Sequence, residues 1–534
     1  MALPIDNTSF HAAISRVTSE MSKRLDSLET QRQTLPPRPL PSAENLAEYG
    51  STDPGLVELL RSPGIPSQGN GLDKTVELLL QYIAPAIADS AGPRYFGLVT
   101  GGATPASLVA DWIVSVVDQN TILHSPRAMS GYSVIKDLAM RMVLDLFNLP
   151  NNVNDSDSAQ QKQQLKQAKA DDVDFRAITT TGSTASNVMG MAAGRQWLGV
   201  HDRKVDYSQE GYDGQVVVVT NMAHATVWKA ASILGIGRKQ VIEVPGMGMD
   251  AKGQEEAFEY AVKEQKSAGK SVLVFLSFGE VNTGIFPFNT HRIADICASN
   301  NAYLHIDGAF GIYARCSPSY EYLAQGLERA HSITACGHKW LNVPYDCGFF
   351  IYRTYLEKSI LEPIFSSSAA YLPSTDSGPT HPMNISIENS QRFRSLPVWA
   401  TLYAYGRDGY QKIVEENCRY AKTLFDWMKN TRSDLYTVLT EECPLNIVVF
   451  AQKMPLELES MAEGPARTEA LGKKNAELLK RINETGVAYF SPTVWNGRPA
   501  IRAAISNWRT TVEADWEPVR AMLEQQATIA QELV

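Results

Sequence analysis

Residues 332–348 read SITACGHKWLNVPYDCG, and Lys339 stands in the middle of this stretch between a histidine and a tryptophan. A lysine that forms an imine must lose its proton near neutral pH, and burial among apolar groups such as Trp340 and Leu341 favours that loss. The preceding His338 could donate a hydrogen bond to an anionic group. Taken alone, a lysine beside a tryptophan is more typical of a surface side chain that lies over an aromatic ring.

A second polar motif lies upstream, where residues 305–311 read HIDGAFG at the end of a predicted strand. The carboxylate of Asp307 can pair with a protonated pyridine nitrogen and keep a cofactor ring electron-poor, while the small Ala309 can lie flat beneath that ring. The alternative is that Asp307 only caps the turn that follows it.

A third motif, TTTGSTASN at residues 179–187, is a small polar turn at the start of a helical pattern. The hydroxyls of Ser183 and Thr184, together with backbone N–H groups at a helix N-terminus, can bind a phosphate without a cationic pocket. The alternative is an ordinary N-cap, which uses the same residue types.

The remaining pattern predicts an α/β fold. Short apolar runs at 215–220, 271–275 and 302–306 are typical of strands, and the amphipathic stretches 254–267 and 290–299 predict helices between them. This alternation favours a mostly parallel sheet covered by helices on both faces. Beyond residue 393, predicted helices at 398–430 and 467–485 and strands at 446–450 and 501–505 indicate a smaller α+β unit.

Two segments interrupt this pattern. Residues 35–41 read LPPRPLP, and because proline breaks helices we expect the first ninety residues to form a helical arm outside the core. Residues 151–172 are rich in Asn, Asp, Gln and Lys, which predicts a solvated surface insertion.

Composition excludes several function classes. The 534 residues carry a net charge of −9, which argues against a nucleic-acid or anionic-membrane partner. No apolar run approaches the roughly 18–20 residues that span a bilayer, and the N-terminus lacks the pattern of a secretory signal. The six cysteines show no CxxC pair or zinc spacing, so we expect reduced thiols, no metal site and a cytoplasmic location.

The order of phosphate turn, aspartate and lysine is that of the large pyridoxal-phosphate (PLP) fold. From about residue 92 to 511 the chain resembles the group II PLP-dependent decarboxylases, the family of aromatic-amino-acid, histidine and glutamate decarboxylases. The resemblance implies the fold type I PLP-dependent transferase architecture. In that architecture residues 1–90 form an N-terminal helical arm, 91–389 the large PLP-binding domain and 390–534 the small C-terminal domain.

The resemblance also implies roles for individual residues. Lys339 would carry PLP as an internal imine, with His338 near the phosphate. Asp307 and Ala309 would be the pyridinium partner and the residue on one ring face, and Ser183 and Thr184 the phosphate turn. In the block HATVWKA at 224–230, His224 corresponds to the histidine that stacks on the other ring face.

Further blocks bear on the reaction. Residues 93–100, PRYFGLVT, resemble the segment that lines the substrate pocket, which implicates Tyr95, Phe96, Leu98 and Thr100, the last beside the substrate carboxylate. Residues 369–372, AAYL, resemble a mobile catalytic loop whose tyrosine returns a proton after CO2 leaves, a role that falls on Tyr371. Residues 390–396, SQRFRSL, resemble the hinge into the small domain.

The chain also departs from the family pattern. Residues 279–284 read GEVNTG where the family has a Gly-Thr-Thr tract, Gln391 replaces the first arginine of the hinge, and Leu98 replaces an aromatic pocket residue. The overall resemblance favours an aromatic L-amino acid as the small-molecule substrate, while the altered pocket residues permit an aliphatic or acidic one.

We therefore expect a PLP-dependent amino-acid decarboxylase that releases an amine and CO2. Within PLP chemistry the alternatives are an aldehyde synthase, another carbon–carbon lyase or a transaminase, although Tyr371 favours simple decarboxylation. A cofactor-binding scaffold without turnover is the alternative outside enzymes, and the intact set of Lys339, Asp307, His224 and Tyr371 argues against it. The family is dimeric, so a homodimer is implied, with residues 118–120 near the partner's pocket.

Overall fold

The computed structural model describes residues 8–32, 64–65, 68–120, 131–151, 174–222, 224–244, 251–286, 288–366 and 381–532. The predicted insertion at 151–172 and the Pro-rich connector at 35–41 lie almost entirely outside these ranges, with only Asn151 described. The α-helices are α1 (Thr8–Thr30), α2 (Gly71–Leu78), α3 (Pro105–Val117), α4 (Gly131–Leu146), α5 (Ser183–Leu198), α6 (Tyr207–Glu210), α7 (Thr226–Ile233), α8 (Ala251–Ser267), α9 (Thr290–Ser299), α10 (Glu362–Phe365), α11 (Ser395–Asp426), α12 (Leu456–Glu459), α13 (Pro465–Glu484) and α14 (Val512–Glu532). Within these ranges no helix is long and apolar enough to cross a membrane.

The larger sheet has seven strands. They are β1 (Phe175–Thr180), β2 (Val216–Asn221), β3 (Val241–Val244), β4 (Ser271–Ser277), β5 (Tyr303–Asp307), β6 (Ser332–Ala335) and β7 (Gly348–Arg353). Their spatial order is β1-β7-β6-β5-β4-β2-β3, with β7 antiparallel to both of its neighbours and parallel pairing from β6 to β3. The predicted mostly parallel sheet is confirmed.

Helices cover both faces of this sheet, which explains why its central strands are apolar throughout. Every residue of β2 and of β4 is buried. Along β2, Val217 and Val219 belong to the core beneath α8 and α9, whereas Val216 and Val218 belong to the core beneath α5. Alternate side chains point to opposite faces of a strand, so a strand buried on both faces has no polar side.

A smaller antiparallel sheet lies in the C-terminal part of the chain. Its strands are β8 (Tyr436–Val438), β9 (Ile447–Gln452), β10 (Ser491–Trp495) and β11 (Arg498–Ala504), in the order β10-β11-β9-β8. Helices α11, α13 and α14 pack on it around a separate apolar core. This is the small α+β unit expected from the sequence.

The predicted elements differ from the observed ones mainly at their ends. The helix expected at 398–430 begins at Ser395 and contains a break at Gly406, where φ is 60° and ψ is −171°, and it continues as a π-helix from Trp427 to Thr431. Each strand that was predicted occurs, displaced by one to three residues, because local composition does not define where pairing stops.

The predicted hinge joins the two parts of the chain through ion pairs. Arg394 pairs with Asp346, which lies in the lysine-containing stretch 332–348, at 2.9 Å. Arg392 pairs with Asp111 on α3 at 2.8 Å. Gln391, in place of an arginine, is buried and donates to the Ser386 hydroxyl, so the substitution keeps a polar contact within the hinge.

A buried carboxylate connects three distant parts of the chain. Asp515 on α14 has no exposed side-chain surface and accepts from Arg32, which follows α1, at 2.7 Å and from Arg94 at 2.8 Å. It also accepts from the backbone N–H of Thr511 at 3.0 Å. Helix α1 is thereby fixed to the C-terminal helix of the same chain.

Replacing Asp515 with Ala is expected to lower the free energy of unfolding by roughly 3–5 kcal/mol, because two partly buried arginines lose their anionic partner. Urea unfolding followed by circular dichroism measures this change. Glu517→Ala on the exposed side of α14 breaks only a solvent-exposed pair with Arg520 and is the matched control, expected within about 0.5 kcal/mol of the unchanged chain. Equal effects of the two substitutions would contradict the assignment.

Candidate active site

Several predicted residues meet at the carboxyl-terminal edge of the parallel strands, where open α/β sheets bind their ligands. They surround a cavity of about 390 Å³, a size within the range of small-molecule sites. Its walls comprise Ser183, Met222, His224, Ser277, Phe278, Gly279, Val281, Asp307, Ala309, Phe310 and Lys339. The residues of this cavity come from loops that follow β1, β2, β4, β5 and β6.

Lys339 reaches the cavity from the turn after β6. Its neighbours Trp340 and Leu341 are fully buried, and the Trp340 indole donates to Asn417 at 2.8 Å. The Nζ atom lies 5.8 Å from the centre of the Phe310 ring. The side chain is therefore held by a core anchor on one side and lines the cavity with its amine, which excludes the surface alternative.

Glycine is required where the loop before α3 crosses this turn. A Cβ atom at Gly101 would lie 1.8 Å from the carbonyl oxygen of Lys339. Any larger residue would push the lysine turn away from the residues that precede α3.

Asp307 combines the two roles weighed from the sequence. Its Oδ1 accepts from the backbone N–H of Ala309 at 3.1 Å, which caps the turn, and its Oδ2 accepts from Asn187 at 2.7 Å. Asp307 and Ala309 both line the cavity, and both are buried. The carboxylate thus faces the cavity while two donors hold it in place.

The predicted phosphate turn begins helix α5. Ser183 is the first helical residue and lines the cavity, and its backbone N–H and side chain both hydrogen-bond to the buried thiol of Cys336. Thr184 is half-buried in the same first turn but is not a wall residue. Unpaired N–H groups at this helix end provide anion donors.

His224 lies after β2 at the rim of the cavity. Its Nδ1 is 3.0 Å from the Thr226 hydroxyl. Partial burial lowers the pKa of His224, the positive charges of Lys339 and Arg502 lower it further, and the Asp307 carboxylate opposes the change. The ring is therefore neutral at physiological pH.

His338 lies behind the phosphate turn and not in the cavity wall. Its ring stacks on Tyr345 with 4.0 Å between centroids, its Nδ1 accepts from the backbone N–H of Cys347, and its Nε2 is 3.2 Å from the Cys336 sulfur. Burial lowers the pKa of His338 to about 4, so it supplies no positive charge for an anion.

The four predicted substrate residues lie away from the cavity wall. Tyr95 stacks on Tyr489 at 4.8 Å, and Leu98 is largely exposed with a φ of 55°. Thr100 is buried, and its hydroxyl has no hydrogen-bond partner among the described residues.

The expectation for Phe96 is wrong. Its ring is 1% exposed and packs against Tyr420 and Phe490 in the core of the small sheet. The backbone explains the placement, since Phe96 donates to the Tyr489 carbonyl and accepts from the Ala504 N–H. An apolar aromatic in a pocket motif looks the same in sequence as one that fills a domain core. Tyr371 lies outside the described residues.

Two charged residues near the cavity were not assigned from the sequence. Glu280 is buried, its carboxylate accepts from Thr283 and Asn282, and burial raises its pKa. Arg502 on β11 donates to the Val281 carbonyl at 3.1 Å, while its Nε has no partner in the part of the chain described. The GEVNTG departure pointed to Glu280, but nothing in the strand pattern of β11 distinguished Arg502.

Comparisons with known proteins identify this constellation. Residues 54–453 match the family described as the pyridoxal-dependent decarboxylase conserved domain. The chain is 24% identical over 467 residues to the aromatic-L-amino-acid decarboxylase of Bacillus atrophaeus, covering 86% of this chain and 87% of that protein.

Two solved structures share the fold. The Oryza sativa TDC with PLP and tryptamine superposes with a TM-score of 0.78 at 19% identity over 100% of both chains. The Rhodiola rosea 4-hydroxyphenylacetaldehyde synthase gives a TM-score of 0.75 at 18% identity, covering 99% of each chain.

Acid is expected to weaken this fold because burial keeps its histidines neutral. Burial lowers the pKa of His305 to about 3 and those of His331 and His338 to about 4, whereas an unfolded histidine titrates near about 6.5. Below that pH the unfolded chain binds protons that the folded chain excludes. The free energy of unfolding should therefore fall by up to about 1.4 kcal/mol per pH unit for each histidine.

Urea unfolding of cofactor-free protein between about pH 8 and pH 5 measures this slope. His305→Gln removes one titrating group and is expected to reduce the slope below about pH 6.5. Stability that is constant across the range would contradict the neutral histidines.

Proposed function

Because the chain belongs to the pyridoxal-dependent decarboxylase family, we propose that it uses PLP to decarboxylate an L-amino acid, releasing the corresponding amine and CO2. The observation that carries the proposal is the meeting of Lys339, Asp307 and His224 around one cavity. A primary amine, a carboxylate and an aromatic ring on one wall set match the groups that this cofactor needs.

The residues present fit the cofactor in their chemistry. The amine of Lys339 can bind an aldehyde covalently, the Asp307 carboxylate can accept a ring N–H, and the N–H groups at the start of α5 can bind a phosphate. His224 and Ala309 provide a flat ring and a small side chain that can enclose an aromatic ring. Bound PLP supplies the acceptor for the electron pair of the bond that is broken.

The protein residues then decide which bond breaks. Thr100, with its unpaired buried hydroxyl, is proposed to hold the substrate carboxylate. Arg502 adds positive charge on the same side, since it lowers the pKa of His224. The predicted proton return by Tyr371 falls outside the described residues and stays a prediction.

An aromatic substrate is the form of the proposal that the relatives favour, since the Bacillus atrophaeus relative is an aromatic-L-amino-acid decarboxylase. The second candidate function is aldehyde formation, which the fold shared with the Rhodiola rosea synthase keeps open. Product analysis distinguishes the two, because one yields amine and CO2 and the other yields aldehyde, ammonia and peroxide.

We also propose that the enzyme is a homodimer. Helix α3 exposes a row of apolar side chains on one face, namely Val109, Trp112, Ile113, Val116 and Val117. The spacing of three and four residues places them side by side on the helix surface, and a contiguous apolar face is typical of an interface. Residues 118–120, expected near the partner's pocket, directly follow this face.

The domain division predicted from the sequence is proposed as well, with the arm at 1–90, the large domain at 91–389 and the small domain at 390–534. The two sheets with separate cores support it. The segment around Phe96 belongs to the small-sheet core by packing although it precedes the large sheet. The cytoplasmic location expected from the composition stays a prediction.

Replacing Lys339 with Ala is expected to abolish both turnover and the visible absorbance acquired on adding PLP, because the covalent attachment point is lost. Asp307→Ala is expected to retain bound PLP with activity lowered roughly 10²–10³-fold, since the ring charge loses its partner. Absorbance titration and CO2 release from a panel of all L-amino acids measure these effects.

Lys229→Ala removes an exposed lysine on α7 and serves as the control, with unchanged absorbance and turnover. A Lys339→Ala protein that retained both properties would refute the cofactor assignment. Full activity in Asp307→Ala would place the pyridinium partner elsewhere.

Introducing a charge on α3 is expected to separate the dimer. Val116 is 83% exposed in the single chain, and Val116→Glu would bury a carboxylate in the proposed interface, weakening association at least about tenfold. Sedimentation velocity at several concentrations measures this change. Val494→Glu, on the exposed side of β10, is the matched control. An unchanged chain that sediments as a monomer would contradict the dimer.

A further inference from the structure

A continuous set of buried polar side chains leads from the cavity into the large sheet. We propose that Asn187 is a positioning residue at the junction of this network, where it orients both Asp307 and His224, with His305 fixing the orientation of Asn187 in turn. The inference rests on the proposed function, because Asp307 and His224 are there assigned to the cofactor ring. The network comprises Tyr303, Ser332, His305, Asn187, Asp307, Thr226 and His224.

The links of the main branch are short and buried. The Tyr303 hydroxyl donates to Ser332 at 2.9 Å, and the Ser332 oxygen lies 2.8 Å from His305 Nδ1. His305 Nε2 lies 3.3 Å from Asn187 Oδ1, and Asn187 Nδ2 donates to Asp307 Oδ2 at 2.7 Å. Tyr303, Ser332 and His305 are completely buried and Asn187 is 1% exposed, so water does not compete for these bonds.

The chemistry of the groups fixes the direction of every bond. An ionised carboxylate only accepts, so the amide nitrogen of Asn187 must face Asp307 and its amide oxygen must face His305. His305 therefore donates from Nε2, and its neutral ring accepts at Nδ1 from the Ser332 hydroxyl, whose oxygen accepts from Tyr303. Four donors in sequence point toward the Asp307 carboxylate.

A second branch leaves Asn187 toward His224. Asn187 Nδ2 lies 3.3 Å from the Thr226 hydroxyl, which lies 3.0 Å from His224 Nδ1. The backbone N–H of Thr226 also donates to this Nδ1. Nδ1 is thus an acceptor, and the proton of the neutral His224 ring is on Nε2. The two hydrogens of one amide group serve two different cavity residues.

The surrounding packing preserves this arrangement. The His305 ring lies so close to α5 that a Cβ atom at Gly190 would be 2.2 Å from its Cε1, and Phe275 packs on the ring with 4.7 Å between centroids. Burial lowers the pKa of His305 to about 3, which keeps it in the neutral form that the network requires. The helix that begins with Ser183 therefore also positions the carboxylate, one turn further along.

Aligned donors have a defined effect on Asp307. They stabilise its anionic form in a medium of low dielectric constant, where consecutive hydrogen bonds strengthen one another. A carboxylate that loses them becomes more basic, and a proton shared with a ring nitrogen then moves toward the carboxylate. The ring consequently loses positive charge and attracts electrons less strongly.

The test measures cofactor properties of the full-length protein, with PLP as the probe. Asn187→Leu keeps the size but removes the donor, and we expect PLP affinity to fall roughly 10- to 100-fold together with a change in the visible spectrum of bound PLP. Gln196→Leu on the same helix removes a buried amide that bonds to Asp206 and Ser208. It is the matched control, with the affinity and spectrum unchanged.

Substitutions at His305 make the test independent of Asn187. His305→Gln retains a donor at the position of Nε2, whereas His305→Leu does not. We expect His305→Leu to reproduce the spectral change and His305→Gln to restore the spectrum of the unchanged chain. If Asn187→Leu fails to fold, as judged by circular dichroism, this pair decides the question.

The outcomes separate the two levels of inference. If the unchanged chain binds PLP but Asn187→Leu, or in its place His305→Leu, binds it with the same affinity and spectrum, the positioning role is refuted while the proposed function stands. If the variants alter PLP binding but the unchanged chain releases CO2 from no L-amino acid, the positioning role stands and the proposed reaction fails. Equal effects of His305→Gln and His305→Leu would show a purely structural role and overturn the inference.

Discussion

The negative charge of Asp307 has to be balanced at the end of a strand that is buried on both faces, and much of the site follows from that constraint. An unpaired carboxylate in such a place would be strongly destabilising. The Ala309 amide and the Asn187 side chain hold its two oxygens, leaving the carboxylate directed at the cavity. Because Asn187 lies on α5, the same helix presents Ser183 to the cavity and fixes the aspartate.

The small sheet is connected to the cavity by the loop that follows β4. Val281 lines the cavity, and its carbonyl accepts from Arg502 on β11. Asn282 in the same loop accepts from Thr493 on β10 at 2.5 Å. The buried carboxylate of Glu280 organises this loop and attracts Arg502. A change in the position of the small sheet would therefore move one wall of the cavity, which links the C-terminal part of the chain to the chemistry.

The segment before α3 serves both parts of the molecule. Phe96 fills the core of the small sheet, whereas Gly101 contacts the lysine turn a few residues later. Between them lies Thr100 with its unpaired hydroxyl. The segment thus transmits the position of the small sheet to the backbone of Lys339, and its residues alternate between packing and the proposed substrate contact. This explains how one conserved-looking motif can contain residues with unrelated roles.

The sequence by itself determined the fold class, the strand–helix alternation and the identity of the reactive residues Lys339, Asp307 and Ser183, because apolar periodicity and short motifs are local properties. Only the tertiary structure decided that Phe96 is a core residue, that His338 is neutral behind the phosphate turn, and that Asn187 and Arg502 lie beside the cavity. Those outcomes depend on which distant elements pack together: Asn187 and Asp307 are far apart in sequence yet share a hydrogen bond of 2.7 Å. A pattern read along the chain contains no information on such a distance.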